Sequence, residues 1–121
     1  MHVVCVIDDD PSVRKGVANL LKSEGYQAVC FQSGDSFLAS DWIGRANCVL
    51  LDLCMPGLHG HEVQRALNGL GADVPVICMS AQATEQNVAL ALQQGACEFL
   101  AKPFTAEALL AAVAHSARAR S

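Results

Sequence analysis

Asp8, Asp9, Asp52, Ser80 and Lys102 are the side chains whose types and spacing could do chemistry, because each stands at or just past the end of a short apolar run. Asp52 alone has a plainer reading, since aspartate often opens a turn. Gathered together, the three carboxylates are a different matter. Two unit charges ~4 Å apart repel by ~4 kcal/mol at an effective dielectric of ~20. Lys102 cancels one charge and leaves two. A divalent cation would cancel the rest, and carboxylate oxygens with no imidazole or thiolate set favour Mg²⁺. Mg²⁺ keeps several waters and shares its remaining positions with phosphoryl oxygens, so the group reads as phosphoryl-handling. An aspartate can itself be the nucleophile and form an aspartyl-phosphate. Such transfer needs mainly positioning and charge neutralisation, with Ser80 placed to give one hydrogen bond. No GxxxxGK[ST] loop, GxGxxG turn or HExxH helix accompanies these residues.

The elements that must bring these residues together follow from the apolar pattern. His2 to Ile7 reads as a first strand, followed by Asp8-Asp9-Asp10-Pro11. Pro11 suits a first helical turn and Asp10 its N-cap. That helix carries Val13, Val17, Leu20 and Leu21 on one face and stops at Gly25. Gln27–Phe31 is a second strand, and Ser33-Gly34-Asp35 opens a brief helix through Phe37 and Leu38. Asn47 to Leu51 forms a third strand, whose short apolar run from Val49 delivers Asp52 before Pro56 and Gly57 stop it. After the Pro56 to Gly60 loop comes a helix with Val63, Ala66, Leu67 and Leu70 on one side. Pro75 introduces Val76 to Met79, which ends on Ser80; Thr84 caps a helix carrying Val88, Ala91 and Leu92 that stops at Gly95. Cys97 to Ala101 leads to Lys102-Pro103, and Thr105 caps a last helix with Ala106, Leu109, Leu110 and Val113 inward.

Strict alternation of five strands and five helices calls for an α/β fold: a doubly wound parallel sheet covered on both faces. Its common five-stranded order is 2-1-3-4-5, the flavodoxin-like arrangement. In that order the carboxyl ends of neighbouring strands 1, 3, 4 and 5 carry Asp8 and Asp9, Asp52, Ser80, and Lys102. Only the edge strand 2 ends without a polar candidate. Open α/β sheets keep their chemistry at that end.

The bulk numbers exclude several classes. A length of 121 residues suits one domain spanning 1–121. Hydrophobic content of 52% with 17% charged residues argues against disorder. No apolar run approaches the ~20 residues of a membrane span, and the start lacks a signal peptide's pattern, so a cytoplasmic location is expected. A formal charge of −4, with Arg118 and Arg120 the only basic cluster, argues against this segment gripping nucleic acid by itself. The six cysteines show no CxxC pairing. They read as reduced, mostly buried thiols, with a redox sensor as the alternative.

The order and spacing of these pieces resemble the receiver domain of bacterial two-component response regulators. The matching pieces are Val6-Ile7-Asp8-Asp9-Asp10, Leu51-Asp52-Leu53-Cys54-Met55-Pro56-Gly57 with Gly60, Ser80-Ala81, and Lys102-Pro103-Phe104. Each is weak alone, but all four in order are specific, and they cover essentially the whole chain. The resemblance implies Asp52 as phosphoacceptor and Asp8 and Asp9 as acidic pocket. It implies Mg²⁺ bound by Asp9, Asp52 and the backbone carbonyl of Cys54, with Asp8 acting through water. It also implies Ser80 as switch hydroxyl, Lys102 as phosphoryl-binding lysine and Phe99 as an aromatic that changes rotamer. Cys54 beside the acceptor is unusual and bears on the lifetime of the phosphoryl group.

Such a domain takes its phosphoryl group from a sensor histidine kinase or phosphotransfer protein and is not an enzyme acting on metabolites. Its signal would leave through helix 4, strand 5 and helix 5, where Leu90 is expected exposed and where two chains could pair. A C-terminal DNA-binding output domain, outside this chain, would complete it; a stand-alone receiver is the alternative. Two rivals remain. A haloacid dehalogenase phosphatase also uses an aspartyl-phosphate, but wants Asp-x-Asp after its first strand and usually a cap domain. A phosphorylation-independent module of the same fold would have lost the acidic pair, acceptor or lysine, all of which are present.

Other candidates have plainer readings. Asp10 is a helix cap, His59 and His61 are solvated loop histidines rather than a metal pair, and Met55 and Met79 are core. Trp42 packs under the connection from helix 2 to strand 3. Ala108, Ala111 and Ala112 line the outer side of the last helix, through helix propensity alone or as a surface that meets a partner.

Overall fold

Five short runs of aliphatic and β-branched residues form a parallel sheet: β1 (Val3–Ile7), β2 (Gln27–Phe31), β3 (Cys48–Asp52), β4 (Val76–Ser80) and β5 (Glu98–Ala101). The computed structural model describes residues 2–54 and 59–120, and side chains through Ser116. Met55, Pro56 and Gly57 therefore lie outside the described residues, as do the side chains of Arg118 and Arg120. Strand order is β2-β1-β3-β4-β5, as the alternation predicts. Each strand lies within a residue of its expected bounds.

Central strands buried on both faces need apolar side chains at every position. Accordingly β1, β3 and β4 are buried throughout. The period of two divides them between two cores. Cys5, Ile7, Val49, Leu51, Val76 and Cys78 point to one side, with Val63 and Leu67 among the helical residues meeting them. Val4, Val6, Cys48, Leu50, Ile77 and Met79 point to the other, where Val17, Leu21, Leu109 and Val113 meet them. Helices α1 (Pro11–Ser23) and α5 (Ala106–Arg120) thus cover one face, and α2 (Gly34–Leu38), α3 (Gly60–Gly69) and α4 (Glu85–Gln93) the other.

Local signals set the helix ends. Asp10 accepts a hydrogen bond from the Ser12 N–H, and Ser33 and Thr84 cap α2 and α4 through their hydroxyls. The Ala108 N–H donates to Thr105 Oγ1 at 3.0 Å, so the last cap also lies where expected. Gly25 and Gly95 take φ of 85° and 100°, left-handed conformations that suit glycine after a helix. Trp42 lies in a 3-10 turn at Asp41–Gly44, half-buried against the core, with the Arg45 guanidinium 4.3 Å from its ring centre.

Four expectations need correction. Leu70 and Leu92 are 66% and 47% exposed rather than inward. Leu70 follows the last turn of α3, where the chain leaves the core through Gly71. Leu92 sits on a helix that buries only Ala91. On α5 the inward stripe is Leu109, Ala112, Val113 and Ser116, so Ala112 is buried and Ala106 exposed. Finally, only three of the six free cysteines are buried: Cys5, Cys48 and Cys78. Burial pushes those three thiols up to about 12.

Candidate functional site

Parallel registry sets the polar strand ends at nearly one level: Ile7 pairs with Leu51, Asp52 with Met79, and Ser80 with Ala101. One further residue along their strands stand Asp8 and Lys102. The candidates are brought together at this end. One oxygen each from Asp8, Asp9 and Asp52 lies within 4.8 Å of the others, the only such group of acidic, histidine or cysteine side chains among the described residues. His59 and His61 therefore join no such group. Instead the His59 N–H donates to Glu62 Oε1 at 3.3 Å, and His61 meets Gln64 inside the first turns of α3.

Asp8 is fully buried and every hydrogen-bonding group on it is engaged. Its N–H donates to the Phe31 carbonyl at 3.1 Å. Its carbonyl accepts from Arg14 Nη1 at 2.7 Å. Oδ1 accepts from the Asp10 N–H at 2.9 Å and Oδ2 from Lys102 Nζ at 2.7 Å. Asp9 by contrast is exposed.

Asp52 is nearly buried at 3% exposure. Its Oδ1 accepts from the Cys54 N–H at 3.1 Å and faces Lys102 Nζ at 3.6 Å. Its pKa is pushed up to about 6. Desolvation is the chief cause; the Cys54 N–H and Lys102 oppose it, while the charges of Asp8 and Asp9 add to it. Burial alone would lower the pKa of Lys102, but hydrogen bonds to Asp8 and Asp52 and their charges hold it above the ordinary lysine value. Three carboxylates against one ammonium leave about two negative charges, a surplus that suits a divalent cation with oxygen ligands.

Ser80 is fully buried; its Oγ accepts from the Gln82 N–H at 3.0 Å and lies 3.3 Å from Cys54 Sγ. Phe99 is half-buried on β5, packed against the core on the α3 and α4 face.

Gly60 explains how α3 reaches this corner. A Cβ there would fall 2.7 Å from the Asp52 carbonyl oxygen and 2.7 Å from Leu53 Cα. Only glycine lets the helix start so close to the strand end.

Two residues of consequence escaped the sequence reading. Arg14 clamps the Asp8 carbonyl; a basic residue one turn into a helix that follows an acidic strand end is the signal that could have found it. Gln64 is 2% exposed on α3, its amide bonded to His61 and to the Ala91 carbonyl. A lone glutamine in an amphipathic helix carries no such signal.

Known proteins share this arrangement. The family model for the response regulator receiver domain matches residues 4–114. The response regulator protein TodT of Pseudomonas putida is 35% identical over 111 residues, covering 92% of this chain and 49% of that protein. The transcriptional regulatory protein FixJ of Azorhizobium caulinodans is 38% identical over 110 residues, covering 91% of this chain and 52% of that protein. The chain thus spans about half the length of these curated relatives. Among solved structures, response regulator StyR superposes with a TM-score of 0.91 at 36% identity, over 98% of this chain and 60% of that one. The chain belongs to the family of response regulator receiver domains.

Proposed function

We propose that residues 1–121 form one receiver unit in which Asp52 accepts a phosphoryl group from the phosphohistidine of a sensor histidine kinase or phosphotransfer protein. The observation that carries this reading is a nearly buried carboxylate lying 3.6 Å from a lysine and inside a cluster of three acidic residues. Among the described residues both side-chain contacts of Asp52 fall on Oδ1, so Oδ2 is the oxygen available to attack phosphorus. The P–N bond of the donor, whose ring is protonated on its other nitrogen, breaks as the acyl P–O bond forms, and the donor side chain leaves as neutral imidazole.

Receiver domains bind Mg²⁺, and here Asp9, Asp52 and the Cys54 backbone carbonyl would hold it, supplying the positive charge that the phosphoryl oxygens need. Asp8 suits a ligand that acts through water, because both its carboxylate oxygens are already engaged. Lys102 moves from Asp8 towards the phosphoryl group. Ser80 Oγ turns its hydroxyl hydrogen to one phosphoryl oxygen and draws its loop inward, and Phe99 turns into the space released. Signal then leaves through α4, β5 and α5, where the exposed Leu92 offers part of a face on which a second copy could pair; Leu90, expected on that face, lines instead the groove between α4 and α3 beside His61 and Arg65. The relatives' additional length suggests an output domain after the receiver. FixJ is named a transcriptional regulator, and a DNA-binding output is our reading for this protein, which would act in the cytoplasm. Among the described residues, no helix is long and apolar enough to cross a membrane.

Incubation with Mg²⁺ and acetyl phosphate, read by intact mass, tests the assignment. We expect one phosphoryl addition, absent without Mg²⁺ and absent in Asp52→Asn. Labelling of Asp52→Asn at the wild-type level would overturn it.

A further inference from the structure

Asp8 and Asp9 are neighbours in the chain and in the acidic cluster, yet they are held to very different degrees. Asp8 has its N–H on the Phe31 carbonyl, Oδ1 on the Asp10 N–H and Oδ2 on Lys102. Asp9 is exposed, and Lys102 pairs with Asp8 and Asp52 but not with it. Among the described residues no hydrogen bond holds its carboxylate. One of its oxygens nonetheless lies within 4.8 Å of oxygens on Asp8 and Asp52, against the repulsion of both. The backbone must therefore do the aiming.

The Asp9 side chain hangs from the peptide unit that joins Asp8 to Asp9, and the sheet does not fix that unit. Pairing of β1 ends at Ile7, opposite Phe31 and Leu51. The Asp8 carbonyl lies past the ladder, an acceptor that needs a partner from outside the sheet. Arg14 supplies it, Nη1 donating at 2.7 Å.

The reach of Arg14 follows from its place in α1. Its N–H makes an opening bond of the helix, to the Asp10 carbonyl at 3.1 Å. Side chains on a helix tilt toward its amino end, so from this position Arg14 leans back to the strand end. A cation near the amino end of a helix opposes the macrodipole. Here a charge-assisted hydrogen bond, the stronger kind, offsets that cost.

We propose that Arg14 is the positioning residue for Asp9: by holding the Asp8 carbonyl it fixes the peptide unit from which Asp9 hangs, and so raises the affinity of the cluster for a divalent cation. It acts through the backbone and is no ligand. The inference rests on the Mg²⁺ site read under Proposed function. Its sign separates positioning from the charge of Arg14. A guanidinium beside an acidic cluster repels a second cation, so through its field alone loss of Arg14 would tighten Mg²⁺ binding. Through positioning, the loss weakens it.

The test follows the amide resonances of residues 8–10 and 52–54 over a Mg²⁺ titration by NMR. It uses the full chain as wild type, Arg14→Met, Asp9→Ala and the double variant. Arg14→Met should weaken Mg²⁺ binding about 10-fold, as loss of a partner behind a ligand does. In the Mg²⁺-free protein the Asp9 amide should shift while that of Leu21, deep in α1, stays in place. In the Asp9→Ala background the same change should cost less than about 2-fold, because the ligand it positions is gone. Arg14→Gln, neutral and shorter, carries the same expectations and keeps the test open if the methionine variant folds poorly. Unchanged or tighter Mg²⁺ binding in these variants, or an equal loss with and without Asp9, overturns the proposal. Wild-type amides that do not respond to Mg²⁺ overturn instead the metal reading beneath it.

Discussion

Helices α1 and α4 occupy equivalent places, each following a strand whose end carries a site residue, yet they are held very differently. Helix α1 buries Val17, Ala18 and Leu21, and its N-cap Asp10 also donates its N–H to Asp8. Helix α4 buries only Ala91 and depends on side-chain amides for the rest. Full burial of one Val- or Leu-sized side chain is worth about 1.5–3 kcal/mol, so the two helices differ in anchoring by about two such units, Val17 and Leu21. The contrast matches the chemistry at each strand end. Asp8 and Asp9 must hold like charges close together, which requires a fixed scaffold. Ser80 must move, and the helix it moves should have little packing to lose.

The sharpest way to break this comparison is to truncate one apolar residue on each helix. Leu21→Ala should cost about 2–5 kcal/mol in urea unfolding, as buried leucines do. Leu92→Ala should stay within about 0.5 kcal/mol, as exposed positions do. Equal losses would mean that α4 is anchored as firmly as α1.

A somewhat smaller effect is expected at Asp52 itself. Its carboxyl titrates at about 6 in the folded chain against 3.8 ordinarily. The folded state therefore holds the proton more tightly, and this stabilisation is complete below pH ~4 and is lost as pH rises through ~6. At pH 7.5, without Mg²⁺, Asp52→Asn should melt higher than wild type, by about 2–3 kcal/mol. The gain should vanish below pH ~4, where both side chains are neutral. Added Mg²⁺ should stabilise wild type but not the variant, by linkage. A variant no more stable than wild type at pH 7.5 would show that the acidic cluster carries no electrostatic strain.

The smallest effects separate the two roles at the start of α1. Asp9→Asn should weaken Mg²⁺ binding more than Asp10→Asn, while Asp10→Ala should cost about 1 kcal/mol of stability as a lost cap. Thermal melting over a Mg²⁺ series checks both. Equal shifts in Mg²⁺ affinity would erase the division between ligand and cap.

Most of the fold was legible because its signals are local. Apolar runs of five, Pro11, the caps Asp10 and Thr84 and the stops Gly25 and Gly95 all act within a few residues. Strict alternation then leaves little freedom in strand order, and strand order places the site. What could not be read depends on how far one element overlies another. Periodicity puts Leu92 on the same stripe as Ala91, but not how little of that stripe α4 sets against the core. An alanine-rich helix such as α5 gives weak contrast between faces, so Ala106 and Ala112 were exchanged. Gln64 looks like any surface amide until α3 and α4 are brought together. At the site, residue types announced the carboxylates and the lysine, whereas the Arg14 clamp on Asp8 and the Cys54 contact with Ser80 required coordinates.

The central claim is that accepting a phosphoryl group and passing on the signal are separable, the first resting on Asp52, Mg²⁺ and Lys102 and the second on the Ser80 hydroxyl. A hydrogen bond to a charged group is worth about 1.5–3 kcal/mol, enough to shift a two-state balance roughly 10- to 150-fold. The direct measurement compares wild type with Ser80→Ala by NMR, each with and without beryllofluoride and Mg²⁺, alongside acetyl phosphate labelling by mass. We expect Ser80→Ala to be labelled on Asp52 while the resonances of Phe99 and of residues 82–90 stay near their resting positions. A full wild-type response around Phe99 in Ser80→Ala would contradict the account.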